Sequence, residues 1–411
     1  MNTKRIVIWL LVIASGWLAA CSSAASSQPT PVIERATEVP TAVPTITPVP
    51  QSPDPLTVVQ NFYSALNAGE ADAVAVLLAD DITWRGTPYL TGKASVMTYL
   101  ESTMNGTWVN EISDMRVTRK RVTHTIAAYR NDVLQFGGEE TMVVVDGLIT
   151  AVESYAGMGV DTRPDIVEVA FTASDSGFTG PEEIAAGWVR INLTNEGQEG
   201  HHIQLVRLAE GKTSDDLKAA LTADPESYPD WAEPFGGPNS PDPGGTTSTI
   251  VYLEMGSYVL IDFIPDAEGL PHFQNGLIKA LTVTEPPRIM PGEPLPDVTI
   301  NLSDFHFEVS GTFAAGEQTI RFWNAGSQPH EAFLVQLAEG KTADDYLNTP
   351  PGEIPPGTSL GGITGIVPGD SQYIVVNLEP GTYVLYCFLP DAASHAPHFA
   401  LGMMQEFTVQ E

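Results

Sequence analysis

An internal repeat in the C-terminal half constrains this chain more than any other feature. The hexapeptide LAEGKT at residues 208–213 recurs 129 residues later, at residues 337–342. Asn195 and His201 have counterparts at the same offset, Asn324 and His330. The tripeptide PHF at 271–273 returns at 397–399. Such self-similarity indicates two copies of one structural unit. We therefore predict two related domains, at residues 163–285 and 294–411.

Each copy has the pattern of an all-β unit. Short stretches of alternating residues, such as 188–193 and 257–264 in the first copy, are separated by Gly and Pro. The second copy has matching stretches at 319–323 and 381–388. One short helix is predicted near residues 214–221. The pattern favours a β-sandwich in each copy.

The N-terminus has the composition of an export signal. Lys4 and Arg5 precede an apolar run at residues 6–20, which is short for a membrane span. The run ends in LAAC, and this ending resembles the bacterial lipobox. The resemblance implies a signal peptide at residues 1–20, cleavage before Cys21 and lipidation of Cys21. A plain secretory signal and an uncleaved anchor helix are the alternatives.

The region after the signal has the composition of a linker. Residues 21–53 are mostly Ser, Ala, Thr, Pro and Val without aromatic side chains, so they cannot bury a core. Proline extends such a segment. We expect an extracytoplasmic protein whose folded domains are held to the cell membrane by an N-terminal lipid and a stalk.

The net charge of the chain limits the classes of partner that it can bind. The chain carries 51 acidic and 19 basic residues, a net charge of −32. This charge repels phosphate backbones, so we expect no nucleic-acid partner. After loss of the signal, Cys387 is the one cysteine besides the lipidated Cys21. It is expected to be either a buried, inert thiol or a metal ligand.

The first folded region, residues 54–157, has an α+β pattern. Apolar residues recur at helical spacing over 55–66, two shorter helices follow, and alternating strands begin near residue 115. The strings VVQNFYSALNAGE and LLADDITW resemble the opening of the SnoaL-like branch of the NTF2-like superfamily, which includes ketosteroid isomerases. The resemblance implies a cone of three helices on a bent sheet, with a pocket inside.

The catalytic residues of the isomerases do not carry over. Phe62 stands at the position of their tyrosine, and Gly86 at that of their general base. Without a carboxylate base, that proton abstraction is lost. We expect no catalytic residues and a binding or dimerisation module rather than an enzyme. His124 is expected to be structural, and Trp84 and Tyr129 to belong to the core or to a pocket.

The second repeat resembles a blue-copper protein. The string FWNAG at 322–326 with His330 resembles the first-ligand segment of cupredoxins, and GTYVLYC at 381–387 resembles the strand that delivers their cysteine. The resemblance implies that both repeats are Greek-key cupredoxin-like sandwiches. It also implies that the second binds copper through His330, Cys387 and His398, with Met403 as axial ligand. Such a site passes single electrons to a redox partner protein.

Two departures from that family keep alternatives open. Ten residues separate Cys387 from His398, more than the family usually has, so His395 and Met404 are alternative ligands. The first repeat has Asp262 at the cysteine position and Leu277 at the methionine position, which excludes type 1 copper there. Its His201, His272 and Asp262 could form a His₂–carboxylate site or could be structural.

Two functions therefore remain in view from the sequence. The first is a membrane-tethered, copper-binding electron-transfer protein. The second is a metal-free binding or adhesion protein that takes a small hydrophobic ligand or a partner protein into the NTF2-like pocket.

Overall fold

The computed structural model describes residues 53–86, 88–155, 165–224, 228–287, 290–350 and 353–410. The predicted signal peptide, Cys21 and the linker up to residue 52 lie outside the described residues. Among the described helices, none combines the length and the hydropathy needed to cross a membrane.

Three helices open the first unit. They are α1 (Pro55–Ala68), α2 (Ala71–Ala75) and α3 (Lys93–Glu101). Helix α1 begins where the Asp54 carboxylate accepts the Thr57 N–H and Pro55 occupies the first turn. It ends at Gly69, whose φ of 74° suits glycine. Its apolar face, with Val59 and Phe62 at 0% exposure, is buried against the sheet.

Six strands form the sheet of the first unit, in the order β2-β1-β6-β5-β4-β3. Their bounds are β1 (Leu78–Arg85), β2 (Leu90–Thr91), β3 (Trp108–Thr118), β4 (Arg121–Arg130), β5 (Val133–Val145) and β6 (Leu148–Ser154). The α+β arrangement agrees with the prediction. Helix α2 is only five residues long, and β1 begins three residues after its end.

The first repeat is built from short strands and one helix. Its elements are β7 (Val167–Ser174), β8 (Gly177–Thr179), β9 (Glu183–Ala185), β10 (Gly187–Asn195), β11 (Gln204–Leu208), α4 (Ser214–Ala223), β12 (Ala232–Pro234), β13 (Thr246–Leu253), β14 (Gly256–Ile261), a 3-10 turn (His272–Asn275) and β15 (Ile278–Thr284).

The second repeat follows a corresponding order. Its elements are β16 (Val298–Ser303), β17 (His306–Ser310), β18 (Gly316–Asn324), β19 (His330–Leu337), α5 (Ala343–Leu347), β20 (Gly357–Ile366), β21 (Ser371–Leu378), β22 (Gly381–Tyr386), a 3-10 turn (His398–Leu401) and β23 (Met404–Val409).

The repeated LAEGKT motif has a local structural role. Thr213 and Thr342 are the N-caps of α4 and α5, and each forms a reciprocal capping box with the aspartate three residues later, Asp216 or Asp345. The motif therefore sets where the small helix of each repeat begins.

Each repeat has two sheet layers with an apolar core between them. One layer is shared: the eight-stranded sheet β17-β16-β18-β21-β13-β10-β7-β8 joins the repeats where Ile250 pairs with Tyr373. The other layers are β12-β11-β14-β15-β9 in the first repeat and β20-β19-β22-β23 in the second. Both repeats are largely built of β-strands, and their membership of the cupredoxin family stays a prediction.

Candidate metal centre

The sheet of the second repeat brings three chain segments to one end. His330 is the first residue of β19, Cys387 follows the last residue of β22, and Met403 precedes β23. β19 pairs with β22, and β22 with β23, so these positions lie side by side. The predicted strands 257–264 and 381–388 ran past the observed ends, because Asp262 and Cys387 leave the strand ladder at this edge.

The donor atoms of the predicted ligands converge. His330 Nδ1 lies 3.1 Å from His398 Nδ1, and Cys387 Sγ lies 3.3 Å from the same His398 Nδ1. Donor atoms of all three residues lie within 4.8 Å of one another. All three side chains are fully buried, as is Met403, which shares an apolar cluster with Cys387.

The long loop between Cys387 and His398 folds back on itself. Pro390 and Pro397 form a β-bridge across its base, and Asp391 accepts hydrogen bonds from the amide and the hydroxyl of Ser394, each 2.7 Å long. Residues 388–397 thus form a closed loop, the finger, which returns the chain to the cluster. His395 lies exposed on this finger, outside the group of converging donors. The half-buried Met404 begins β23 and packs against a different apolar cluster, that of Tyr346 and Tyr386.

A second layer of contacts orients the donors. Asp304 Oδ1 lies 2.9 Å from His330 Nε2, which leaves Nδ1 to face the cluster. The backbone N–H of Glu331 donates to Cys387 Sγ at 3.4 Å. Phe305 packs edge-on against the His398 ring at 5.2 Å. His398 Nε2 is buried and has no hydrogen-bond partner among the described residues.

Burial sets the charge of these donors. Desolvation, together with the nearby His330, lowers the pKa of His398 to about 4. Desolvation also lowers the pKa of His330, although Asp304 opposes the shift. Burial and the Glu331 carboxylate raise the pKa of the Cys387 thiol well above its ordinary value. In the metal-free chain the cluster is therefore neutral imidazole and thiol.

The first repeat carries a related cluster at the corresponding place. His201 Nδ1 and His272 Nδ1 lie 2.8 and 3.0 Å from the same oxygen of Asp262, Oδ2. The backbone frame matches: Phe273 donates to the Asp262 carbonyl as Phe399 donates to that of Cys387. Leu277, buried, takes the place of Met403. The structure confirms the aligned positions and shows that the two histidines and the aspartate meet.

The contacts within this cluster shift the pKa values of Asp262 and His272. Although burial opposes ionisation of Asp262, its hydrogen bonds with His201 and His272 and the nearby His202 lower the pKa of Asp262 to about 2. Burial likewise opposes protonation of His272, but Asp262 and Glu199 raise the pKa of His272 to about 9.

At the positions of the isomerase tyrosine and general base, the first unit has Phe62 and Gly86. Phe62 is a core side chain, and a Cβ on Gly86 would lie 2.7 Å from the Ser154 carbonyl oxygen. Trp84 is buried in the core, whereas Tyr89 is 46% exposed. Asp80 and Asp81 are exposed residues of β1.

The sequence interpretation missed a buried polar cluster in this unit. The Tyr63 hydroxyl, one residue after Phe62, donates to the Glu140 carboxylate and lies 3.0 Å from His124 Nε2. All three side chains are buried. Burial and the charge of Glu140 raise the pKa of Tyr63 well above its ordinary value. The available signal was one hydroxyl-bearing side chain, Tyr63, on the otherwise apolar buried face of α1.

Comparison with known proteins bears on the first unit. A family model of the SnoaL-like domain matches residues 59–152. The NTF2-like protein of unknown function from Cytophaga hutchinsonii is 17% identical, with 26% of this chain and 94% of that chain covered and a TM-score of 0.24. One from Mesorhizobium loti is 16% identical, with 27% and 96% covered and a TM-score of 0.24.

An enzyme is also among the similar structures. The LEH-like epoxide hydrolase from M. tuberculosis is 25% identical, with 25% of this chain and 81% of that chain covered and a TM-score of 0.23. The search of curated proteins gave no significant match. Residues 59–152 of this chain, matched by the family model, therefore form a SnoaL-like domain.

Proposed function

We propose that this chain is a lipid-anchored extracytoplasmic protein whose second, cupredoxin-like repeat binds copper and transfers single electrons. One observation carries the proposal: two imidazole Nδ1 atoms and one thiol sulfur converge in a buried cluster, at 3.1 and 3.3 Å. His330 begins one strand, and Cys387 and His398 stand at the two ends of one loop.

The donor set fits copper. Bonds of imidazole nitrogen and of thiolate sulfur to a metal of this size are about 2.0 and 2.3 Å long. Donors about 3 to 4 Å apart can therefore share one ion, as the three donor atoms here can. Two histidines, one cysteine and a weak thioether are the set found in blue-copper electron-transfer sites. Copper bound there would supply a reversible one-electron couple.

The chain's own residues would hold and enclose the ion. His330, Cys387 and His398 would supply the strong ligands, and Met403 lies buried in the same cluster as the cysteine. Asp304 fixes the His330 ring, and the Glu331 N–H bonds the sulfur. Full burial of the donors excludes water and limits their rearrangement between oxidation states.

The proposed lipid anchor and redox partner are supported by the sequence alone. The lipobox-like ending at Cys21 and the Pro-rich segment support an anchored protein outside the cytoplasm. A net charge of −32 disfavours nucleic acid and favours a redox partner with a basic docking surface. No catalytic residue is proposed.

The test is a Cu(II) titration of the full chain in detergent, followed by visible absorption. We expect one equivalent to produce an intense thiolate-to-copper band that is lost in Cys387→Ser. The matched control is His395→Asn: this histidine is on the same loop but exposed, and its φ of 58° is one that asparagine tolerates. The control should keep the band.

Two results would contradict the proposal. One is the absence of stoichiometric copper binding by a chain that unfolds cooperatively. The other is a band that survives Cys387→Ser. Either would leave the second repeat as a scaffold and move the search for function to the SnoaL-like domain.

A further inference from the structure

The first repeat contains a buried cluster in which one carboxylate, that of Asp262, faces two imidazole rings. Asp262 is fully buried, and the basic groups within 4 Å of its carboxylate in the described part of the chain are all histidines: His201, His202 and His272. A buried carboxylate must be neutralised by a proton or a cation. The question is which of these the cluster is built for.

The outer ends of the two central imidazoles are occupied by carboxylates. His201 Nε2 lies 3.1 Å from Asp175 Oδ1, and His272 Nε2 lies 2.9 Å from Glu199 Oε2. An imidazole between a metal and a carboxylate donates its outer N–H to that carboxylate, which fixes the tautomer and raises the basicity of the inner nitrogen. Both histidines of this cluster have that outer contact.

The inner ends then face the same acceptor. With Nε2 protonated, a neutral ring presents a lone pair at Nδ1. Both Nδ1 atoms lie within 3.0 Å of Asp262 Oδ2, which is itself an acceptor. The arrangement needs two imidazolium ions with ring centroids 4.6 Å apart, or one cation bound by all three donors.

His202 does not belong to the inner donor set. Its Nε2 accepts the backbone N–H of Phe263 at 3.1 Å, so that nitrogen is unprotonated. The other oxygen of Asp262 accepts the N–H of Ile264 at 2.9 Å, which orients the carboxylate toward the two histidines. The inner donor set is therefore His201, His272 and Asp262.

We propose that the first repeat is a second metal site, in which His201 Nδ1, His272 Nδ1 and Asp262 Oδ2 bind one divalent first-row ion such as Zn²⁺. Two imidazoles and a carboxylate are ligands that zinc and its neighbours accept, and the set lacks the thiolate of a blue-copper centre. One dication replaces the two protons that the cluster would otherwise need. Asp175 and Glu199 act as positioning residues through the histidines.

The test is zinc affinity, measured by competition with a chromophoric chelator on the full chain in detergent. A Cys387→Ser background removes the thiolate of the second repeat, so the two sites are read separately. We expect one equivalent of Zn²⁺ to remain bound. Asp262→Asn and His272→Gln should each lose stoichiometric binding, and Glu199→Gln should weaken it by about 10- to 100-fold. The exposed Glu268→Gln, on the same loop as Asp262, is the matched control.

A second readout separates a metal site from a histidine pair held only by hydrogen bonds. Zinc should shift the ¹⁵N resonances of Nδ1 in His201 and His272, while the exposed ring of His306 stays unchanged. Absence of stoichiometric zinc, or equal binding by Asp262→Asn and the folded control, would overturn the proposal. The copper test reads only the thiolate of Cys387, so either proposal can fail without the other.

Discussion

Single carboxylates decide which nitrogen of a histidine faces each cluster. Asp175 and Asp304 occupy corresponding places after the first strand of their repeats, and each contacts Nε2 of the first histidine. Asp304 also accepts the amide of Ser327 at 2.9 Å and its hydroxyl at 2.6 Å. The carboxylate therefore ties the His330 ring to a loop and leaves Nδ1 toward Cys387.

Asp304→Ala should weaken copper binding by about 10- to 100-fold, since the outer partner of a ligand histidine is removed. A copper-chelator competition measures it. Ser327→Ala, which removes one loop contact and leaves the His330 contact in place, should stay close to the wild-type affinity. Equal affinity of Asp304→Ala and wild type would show that the carboxylate only fixes the loop.

At the scale of elements, the finger of residues 388–397 makes the long spacing compatible with a compact cluster. Gln328 Nε2 donates to Asp391 Oδ1 at 3.1 Å, and the Gln328 side-chain oxygen accepts the Ala392 N–H at 3.1 Å. These bonds join the finger to the loop that precedes His330. Asp391 connects both sets, through Ser394 on one side and Gln328 on the other.

Asp391→Ala should loosen the finger, so that its amides exchange with solvent faster and copper affinity falls. Hydrogen exchange of residues 391–397 and a copper competition give the two readouts. Ser394→Ala removes one of the bonds to Asp391, namely the hydroxyl contact, and should produce a smaller effect in the same direction. Unchanged exchange in Asp391→Ala would mean that the proline bridge alone closes the finger.

At the scale of the whole molecule, the SnoaL-like domain is joined to both repeats through the β3–β4 hairpin. Arg119, at the turn, lies 2.8 Å from Asp370 of the second repeat and 2.6 Å from Glu233 of the first. Its guanidinium also stacks on Phe235 at 3.6 Å. Burial of Asp370 outweighs Arg119 and raises the pKa of that carboxyl. This cation beside a buried acid is therefore one of the contacts that hold the junction.

Arg119→Ala should destabilise the junction by about 3 kcal/mol or more, because it leaves Asp370 buried without its cation. Calorimetry should show a lower first transition and a SnoaL-like domain that unfolds separately. Arg119→Ala/Asp370→Asn should recover part of the loss, since no buried charge remains. Lys120→Ala, at the exposed neighbouring residue, is the control. An additive double variant would argue against coupling between the two charges.

Local patterns were enough to predict much of the fold. The spacing of apolar residues predicted α1, the α+β character of the first unit and the strand-rich repeats. The 129-residue offset paired His201 with His330, and the aligned ends paired Asp262 with Cys387. These features depend on neighbours in sequence or on repetition, so they are readable without a structure. The membrane anchor and the copper ligands remain predictions from resemblance.

The tertiary structure alone decided which side chains meet. The finger brings Cys387 and His398 together, and the hydrogen bonds that close it cannot be predicted from the spacing of residues. Glu199 contacts His272, which is 73 residues away in the sequence. The hydroxyl of Tyr63 reaches Glu140 only because α1 packs on β5. Such contacts depend on how distant elements pack and on which buried polar groups must find partners. The sequence determined the two repeats and their donor residue types, whereas packing determined the two clusters.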